Sequence, residues 1–367
     1  MRTRLLSVLW IGLLAVSSPA AAQHYAQTNL VSDEAGKARF PDAHLVNAWG
    51  LVSSATSPWW VANNGTLTST LYDGNGVARA LVVHIPGPPT GVVFNGGAGF
   101  VVRSGAASGP ARFIFATEDG KIAGWNPNVP APGSMQATVG SDQSARGSVY
   151  KGLAIATTTA GDFLYAADFH NGAVDMFDSS FRLVGSFTDN GLPHGYAPFG
   201  IQTIGAVLYV TFAKQDKAAH DDVPGKGRGF VDAFDTSGVL IQRIASRGSL
   251  NAPWGIALAP ATFGAFAGDL LIGNFGDGKI NAFDPVATGP NGQLHSKGQL
   301  LTATCAPLVI DGLWALQFGN GSGSGSRDAL YFTAGPDAES HGLFGNLVPT
   351  AGPPCGEPPD DGSGADD

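Results

Sequence analysis

At 367 residues with 44% apolar side chains, the chain is long enough for one large domain or two ordinary ones. Its 20 Lys and Arg face 29 Asp and Glu, a formal net charge of −9, which argues against nucleic acid and anionic lipid surfaces as partners. The 52 glycines and 24 prolines punctuate short apolar runs and do not cluster, so they read as turns between strands rather than as disorder.

In chain order, Arg2 and Arg4, the apolar stretch 5–16 and Ala20-Ala21-Ala22 before Gln23 form a secretory signal pattern. Residues 1–22 are therefore expected to be a cleaved signal peptide. An uncleaved anchor is the other reading, but the apolar stretch is short for a bilayer span. Export implies a periplasmic or secreted protein with no membrane span after cleavage, and a mature chain two charges more acidic.

From residue 23 to 349 one phrase recurs six times: a small or aromatic residue and glycine opening an apolar strand, followed by two more short strands. The openings are Ala48-Trp49-Gly50-Leu51, Pro89-Thr90-Gly91-Val92, Tyr150-Lys151-Gly152-Leu153, Pro198-Phe199-Gly200-Ile201, Pro253-Trp254-Gly255-Ile256 and, degenerately, Leu313-Trp314-Ala315-Leu316. Steps of roughly 40 to 60 residues filled with strands and turns are the signature of propeller blades. The fold class is all-β, a single six-bladed β-propeller, with five or seven blades as alternatives. Glycine at five of the six openings lets inner strands approach closely, and the neighbouring Trp49, Phe199, Trp254 and Trp314 are expected to pack between blades. Asp73, Asp178, Asp235 and Asp284 suit tight hairpins. Segment 127–147 is an insertion after the third strand of blade 2, and 299–304 is expected to be the fourth strand of blade 5.

The sixth repeat runs out after three strands. Residues 27–33 precede the first opening as 183–189 precede the Pro198 opening, so the N-terminal segment is expected to complete the last blade. Segment 319–326, rich in Gly and Ser, reads as a flexible linker. Cys305 and Cys355 either form a disulfide that clips the tail to the last blades or stay as two thiols. Residues 350–367 are expected to be a disordered acidic tail.

Pro253-Trp254-Gly255-Ile256-Ala257 with 270–284, and Gly152-Leu153-Ala154-Ile155-Ala156 with Leu164-Tyr165-Ala166-Ala167-Asp168, resemble the NHL-type propeller repeat. From Asn29-Leu30-Val31-Ser32-Asp33 to Gly342-Leu343-Phe344-Gly345 the chain is similar to a family of exported bacterial β-propeller proteins without an assigned reaction. Propellers of this kind include sugar lactonases, other hydrolases, lyases and plain binding scaffolds. The lactonase type holds a divalent metal through Glu, Asn and Asp at the channel mouth, a pattern that does not map residue by residue onto this chain.

In a propeller the turns between second and third strands and the crossovers between blades open onto one face. His170, His220 and His341 fall in such turns, and His44 and His194 in crossovers. Asp119, Asp168, Asp221, Asp222, Asp277, Asp337 and Glu339 share that face, and four of the six second strands end in an oxygen-bearing residue, Asn63, Glu118, Asp168 and Asn274. Imidazole and carboxylate are the usual metal ligands and proton carriers, so Asp168, His170, His194 and His220 are candidate ligands of one divalent metal ion. The plain alternative is that polar loops carry histidines anyway. The long insertion 214–229, with His220-Asp221-Asp222, is either a functional loop or a spacer stiffened by its own ion pairs. There is no Gly-x-Ser-x-Gly elbow, P-loop or Cys-x-x-Cys pair. The leading expectation is an exported propeller that binds a small ligand or an extracytoplasmic protein on its loop-rich face without catalysis. A metal-dependent hydrolase or lyase is the rival, and a structural envelope protein the third class.

Overall fold

The computed structural model describes residues 24–289, 291–352 and 355, so the segment 1–22 and most of the tail lie outside the described residues. Six sheets follow one another along the chain. Blade 1 is built from Ala48–Val52, Trp59–Asn63, Thr68–Tyr72 and Ala78–His84. Blade 2 takes Pro89–Phe94, Phe113–Thr117, Lys121–Trp125 and Thr138–Asp142. Blade 3 comprises Tyr150–Thr158, Gly161–Asp168, Ala173–Asp178 and Leu183–Phe187. Blade 4 comprises Tyr196–Ile204, Val207–Lys214, Gly229–Asp235 and Leu240–Ser246. Blade 5 uses Pro253–Leu258, Leu270–Asn274, Ile280–Thr288 and Leu294–Gln299. Each innermost strand packs on the next, and that of blade 6 returns to that of blade 1.

Blade 6 has Leu313–Phe318, Leu330–Ala334 and Leu343–Thr350, and His24–Ser32 supplies its outer strand. That strand runs antiparallel to the third, from His24 opposite Thr350 to Ser32 opposite Leu343. The N-terminal segment thus closes the ring as expected, leaving neither end of the last blade with an open inner edge. The hairpin aspartates also behave as expected. Asp73, Asp178, Asp235 and Asp284 each accept a hydrogen bond from the backbone amide two residues on.

The inner glycines explain the tight axle. A Cβ on Gly91 would run into the backbone amide of Leu153, and one on Gly200 into the carbonyl of Trp254. Strand pairing also slips at these points, from Ala48 to Leu51, Pro198 to Ile201 and Leu313 to Leu316. Such bulges re-aim side chains. The aromatic residues before the glycines therefore meet one another rather than separating into the inter-blade cores. Trp49 stacks on Trp314 at 3.6 Å, Phe275 stacks on the same Trp314 at 4.0 Å, and Trp254 meets Trp314 edge-on at 5.7 Å. With Phe199 these rings form one buried cluster that plugs the channel.

Three further expectations are corrected. The fourth strand of blade 5 is Leu294–Gln299, because residues after Gln299 turn at Thr302–Cys305 instead of extending. Segment 127–147 is not wholly an insertion, since it contains the fourth strand of blade 2, Thr138–Asp142, and a hairpin of Val101–Ser104 and Ala107–Pro110 stands between the first two strands. The 319–326 segment is knitted in rather than loose: Asn320 donates to the carbonyls of Ser54 and Ser57 and accepts from the amides of Ser322 and Ser324. Cys305 and Cys355 are joined in a disulfide across a separation of 50 residues, tying the tail to blade 5.

Candidate functional site

The loop-rich mouth of the channel is organised around one cation. Lys151 sits just before Gly152 on the inner strand of blade 3, where the other blades carry Trp49, Thr90, Phe199, Trp254 and Trp314. Its side chain is only 2% exposed, which for Lys requires partners. Nζ donates to Glu118 Oε1 at 2.5 Å and to Asp221 Oδ1 at 3.0 Å, and lies 5.2 Å from the centre of the Trp49 ring.

From this centre a network reaches every blade. Asn64, in the second turn of blade 1, donates to Glu118 Oε2 at 2.7 Å. Asn47, in the crossover entering blade 1, donates to Glu339 Oε2 of blade 6 at 2.7 Å. Its Oδ1 accepts from the indoles of Trp49 at 2.8 Å and Trp314 at 3.1 Å, which fixes the plug beneath. In blade 5, Trp254 Nε1 donates to the Lys151 carbonyl at 2.9 Å. His220 Nδ1 lies 2.9 Å from Asp221 Oδ1 in the blade 4 insertion.

The charges are unbalanced. Burial alone would lower the Lys151 ammonium, but Glu118 and Asp221 outweigh it and hold the group above its ordinary value. Burial also works against ionised Asp221, yet Lys151 and His220 keep it below the usual carboxylate range. Burial pushes Asp222 up to about 7, opposed by Lys151 and reinforced by Glu339 and Asp221. Its Oδ2 is buried and has no hydrogen-bond partner among the described residues. Burial raises Glu339 as well, with the Asn47 hydrogen bond and Lys151 opposing and Glu118 and Asp221 reinforcing.

The sequence candidates separate. Asp168 is fully buried and accepts from the amides of Val149 and Asn171 and from the Asn171 side chain, so it holds its own turn. His170 and His194 are exposed, and the contacts at them are through their carbonyls, to Gln215 and Lys214. His44 is exposed and lies 3.1 Å from Asp42. His341 lies 2.8 Å from Asp33 and 4.0 Å from Glu34, and the Asp33 hydrogen bond raises its pKa. Triads with ligand atoms within 4.8 Å are Glu118–His220–Asp221, Glu34–Asp337–His341 and His24 with the two disulfide cysteines; among the described residues none joins Asp168, His170 and His194. Glu118, His220, Asp221, Asp222 and Glu339 converge, whereas Lys151, Asn47 and Asn64 escaped notice. The signal for Lys151 was available: one charged residue at a position filled elsewhere by four aromatics and a threonine.

Fold and site together define the chain as a six-bladed β-propeller with a plugged axle and a polar, charge-networked mouth. No protein-family model matches it. It is 36% identical over 334 residues to uncharacterized protein L690 of Acanthamoeba polyphaga mimivirus, across 87% of this chain and 84% of that protein. It is 33% identical over 331 residues to uncharacterized protein R648 of the same virus, across 87% of this chain and 78% of that one. The chain belongs to the family of these two proteins; they are viral, where the sequence resemblance implied bacterial relatives. Among solved structures, a streptogramin B lyase superposes with a TM-score of 0.50 at 11% identity, over 89% of this chain and 98% of that one. A protein of unknown function from Bacteroides thetaiotaomicron gives 0.52 at 11%, over 88% and 76%. At such identities the likeness is one of fold alone. No helix among the described residues is long and apolar enough to cross a membrane.

Proposed function

We propose that the loop-rich mouth binds a cationic ligand and that the protein acts by binding, without making or breaking bonds. The observation that carries this reading is the setting of Lys151. One buried ammonium is held by Glu118 and Asp221, with Asp222 and Glu339 in the same field, so four carboxylates surround one cation. A second cation arriving at the exposed Asp221, within the field of buried Asp222, would relieve that excess. A compact ammonium or guanidinium fits this chemistry, carried by a small molecule or by a basic side chain of an extracytoplasmic protein. Location outside the cytoplasm rests on the signal pattern of residues 1–22. Calorimetry at low salt with spermidine as probe tests the reading: saturable binding that weakens at least tenfold in Asp221→Asn supports it. An absence of saturable heat with wild type sinks it.

A metal-dependent hydrolase or lyase is the second reading, favoured by the Glu118–His220–Asp221 triad. The donor set does not fit a divalent ion, because Lys151 Nζ already bonds both carboxylates and an ion there would face an ammonium. Elemental analysis of wild type, His170→Ala and His220→Ala decides between them. Stoichiometric metal that is lost in His220→Ala and kept in His170→Ala, which lies outside the triad, would favour the enzyme.

A further inference from the structure

The bridge between Cys305 and Cys355 lies where the ring closes. His24 opens the closing strand and forms a parallel bridge with Leu301, and the amide of Tyr25 donates to the Leu301 carbonyl at 2.8 Å. On its other side the chain leaving blade 6 passes so near that a Cβ on Gly352 would run into the His24 ring. The disulfide joins these two flanks across a separation of 50 residues, beside His24.

The two sulfurs have different surroundings. Cys305 stands in a turn whose residues 303–306 are exposed, and its amide donates to the Thr302 carbonyl at 2.9 Å. Cys355 is half-buried, and its Sγ lies 3.8 Å from Nδ1 of the fully buried His24. The same Nδ1 is 2.9 Å from the Thr302 carbonyl oxygen, which can only accept, so Nδ1 carries the proton. An N–H donor therefore faces the Cys355 sulfur.

We propose that this bridge is a thiol–disulfide exchange site for a low-molecular-weight thiol, with Cys305 the sulfur attacked and Cys355 the leaving group. The incoming thiol gives its proton to solvent, and its thiolate forms a new S–S bond to Cys305 Sγ. The Cys305–Cys355 bond breaks as that bond forms, and its electron pair goes to Cys355 Sγ. One disulfide replaces another, so nothing is oxidised or reduced in this step. The thiolate left on Cys355 accepts from His24 Nδ1, and a leaving sulfur stabilised in this way departs faster. Attack at Cys355 is disfavoured, because that sulfur is half-buried against the His24 ring. Exchange also unlatches the ring closure: once the tail is free to lift from His24, the start of the strand is held by its sheet bonds and the Leu301 carbonyl alone.

The test is reaction of the purified, folded protein with glutathione at pH 8, stopped early with iodoacetamide and read by peptide mapping. The first adduct is expected to carry glutathione on Cys305 and the iodoacetamide label on Cys355. Hydrogen exchange at the Tyr25 amide should quicken at least tenfold in that adduct. His24→Phe keeps a buried ring without the donor and should slow adduct formation at least tenfold. His24→Asn, which retains an N–H donor, should recover part of the rate. A variant that merely loosened the strand would expose the bridge and react faster, so the expected sign separates the two roles of His24. Glutathione found first on Cys355, an adduct that forms only in denaturant, or a folded His24→Phe protein reacting at the unmodified protein's rate would overturn the proposal. Unchanged protection at Tyr25 would overturn the unlatching.

Discussion

Two rings of residues, one step apart on the same inner strands, have opposite characters. After each opening glycine, or Ala315, the six blades carry Leu, Val, Leu, Ile, Ile and Leu, a uniform collar whose side chains pack into six different hydrophobic cores. Before it they carry Trp49, Thr90, Lys151, Phe199, Trp254 and Trp314, which share neither size nor charge. The collar repeats because one packing problem recurs in every blade, and an aliphatic side chain solves it each time. The upper ring is asymmetric because its members touch loops of different lengths, and those loops bring Glu118, Asp221, Asp222 and Glu339 to one place only. Symmetry in a repeat protein thus marks the scaffold, and the position where a repeat departs from itself marks chemistry.

The largest expected effect lies in the upper ring. Lys151→Met removes the single cation and leaves Glu118 half-enclosed and without its counter-charge. Removing one partner of a buried pair costs about 3–5 kcal/mol. Most of this comes from Glu118, since Asp221 is well exposed and solvent screens its share. Denaturant melts should show the loss, and Lys151→Met with Glu118→Gln should regain a good part of it. Unchanged stability in the single variant would mean that Lys151 is not the hub. In the lower ring, Leu153→Ala should cost about 2–3 kcal/mol by opening a cavity, with no effect on cation binding at the mouth. If cation binding also falls, the two halves of the axle are coupled and the contrast fails.

Gly200→Ala probes the hinge between the rings. Its Cβ would strike the Trp254 carbonyl, so the inner strands of blades 4 and 5 must part, at about 1–3 kcal/mol. Trp254 belongs to the plug and also donates to the Lys151 carbonyl, so this change should disturb both halves and shift the tryptophan fluorescence. A loss of stability with an unaltered emission maximum would show that the plug is held from above, by Asn47, rather than by the strand beneath it.

The architecture was legible in the sequence because its determinants are local and repeated. Glycine spacing gave the number of blades, and the orphan strand before Trp49 gave the closure. The site was legible only in part. Histidines drew attention as ligand types, but His170 and His194 point to solvent, and a residue's chemistry does not set its direction. Lys151 was read as part of a structural motif because it stands in one. Asn47 and Asn64 act through side-chain amides that bridge residues as many as 292 positions apart, and no local pattern encodes such a partnership. The plug was expected as inter-blade packing because the bulge that re-aims each aromatic is a matter of register, which residue identity does not reveal.

The smallest expected effect is a pH dependence, and it tests whether the upper ring is electrostatically poised. Asp222 faces Lys151, Glu339 and Asp221, and burial holds its pKa near 7 against an unfolded value near 4. A carboxyl raised on folding binds its proton more tightly in the native state, so its contribution to stability is full below about pH 4 and falls as pH rises to about 7. Above pH 7 the fall should level off. Asp222→Asn should flatten this slope in melts taken between pH 4.5 and 8. A bound cation should release the same proton, so spermidine affinity should rise between pH 6 and 8 in wild type and much less in the variant. If the slope survives in Asp222→Asn, the titrating group is Glu339, which burial also raises and which Asn47 ties to the plug. If neither carboxyl is responsible, the upper ring is a fixed structural lattice like the collar below it, and the contrast between the two rings is one of composition alone.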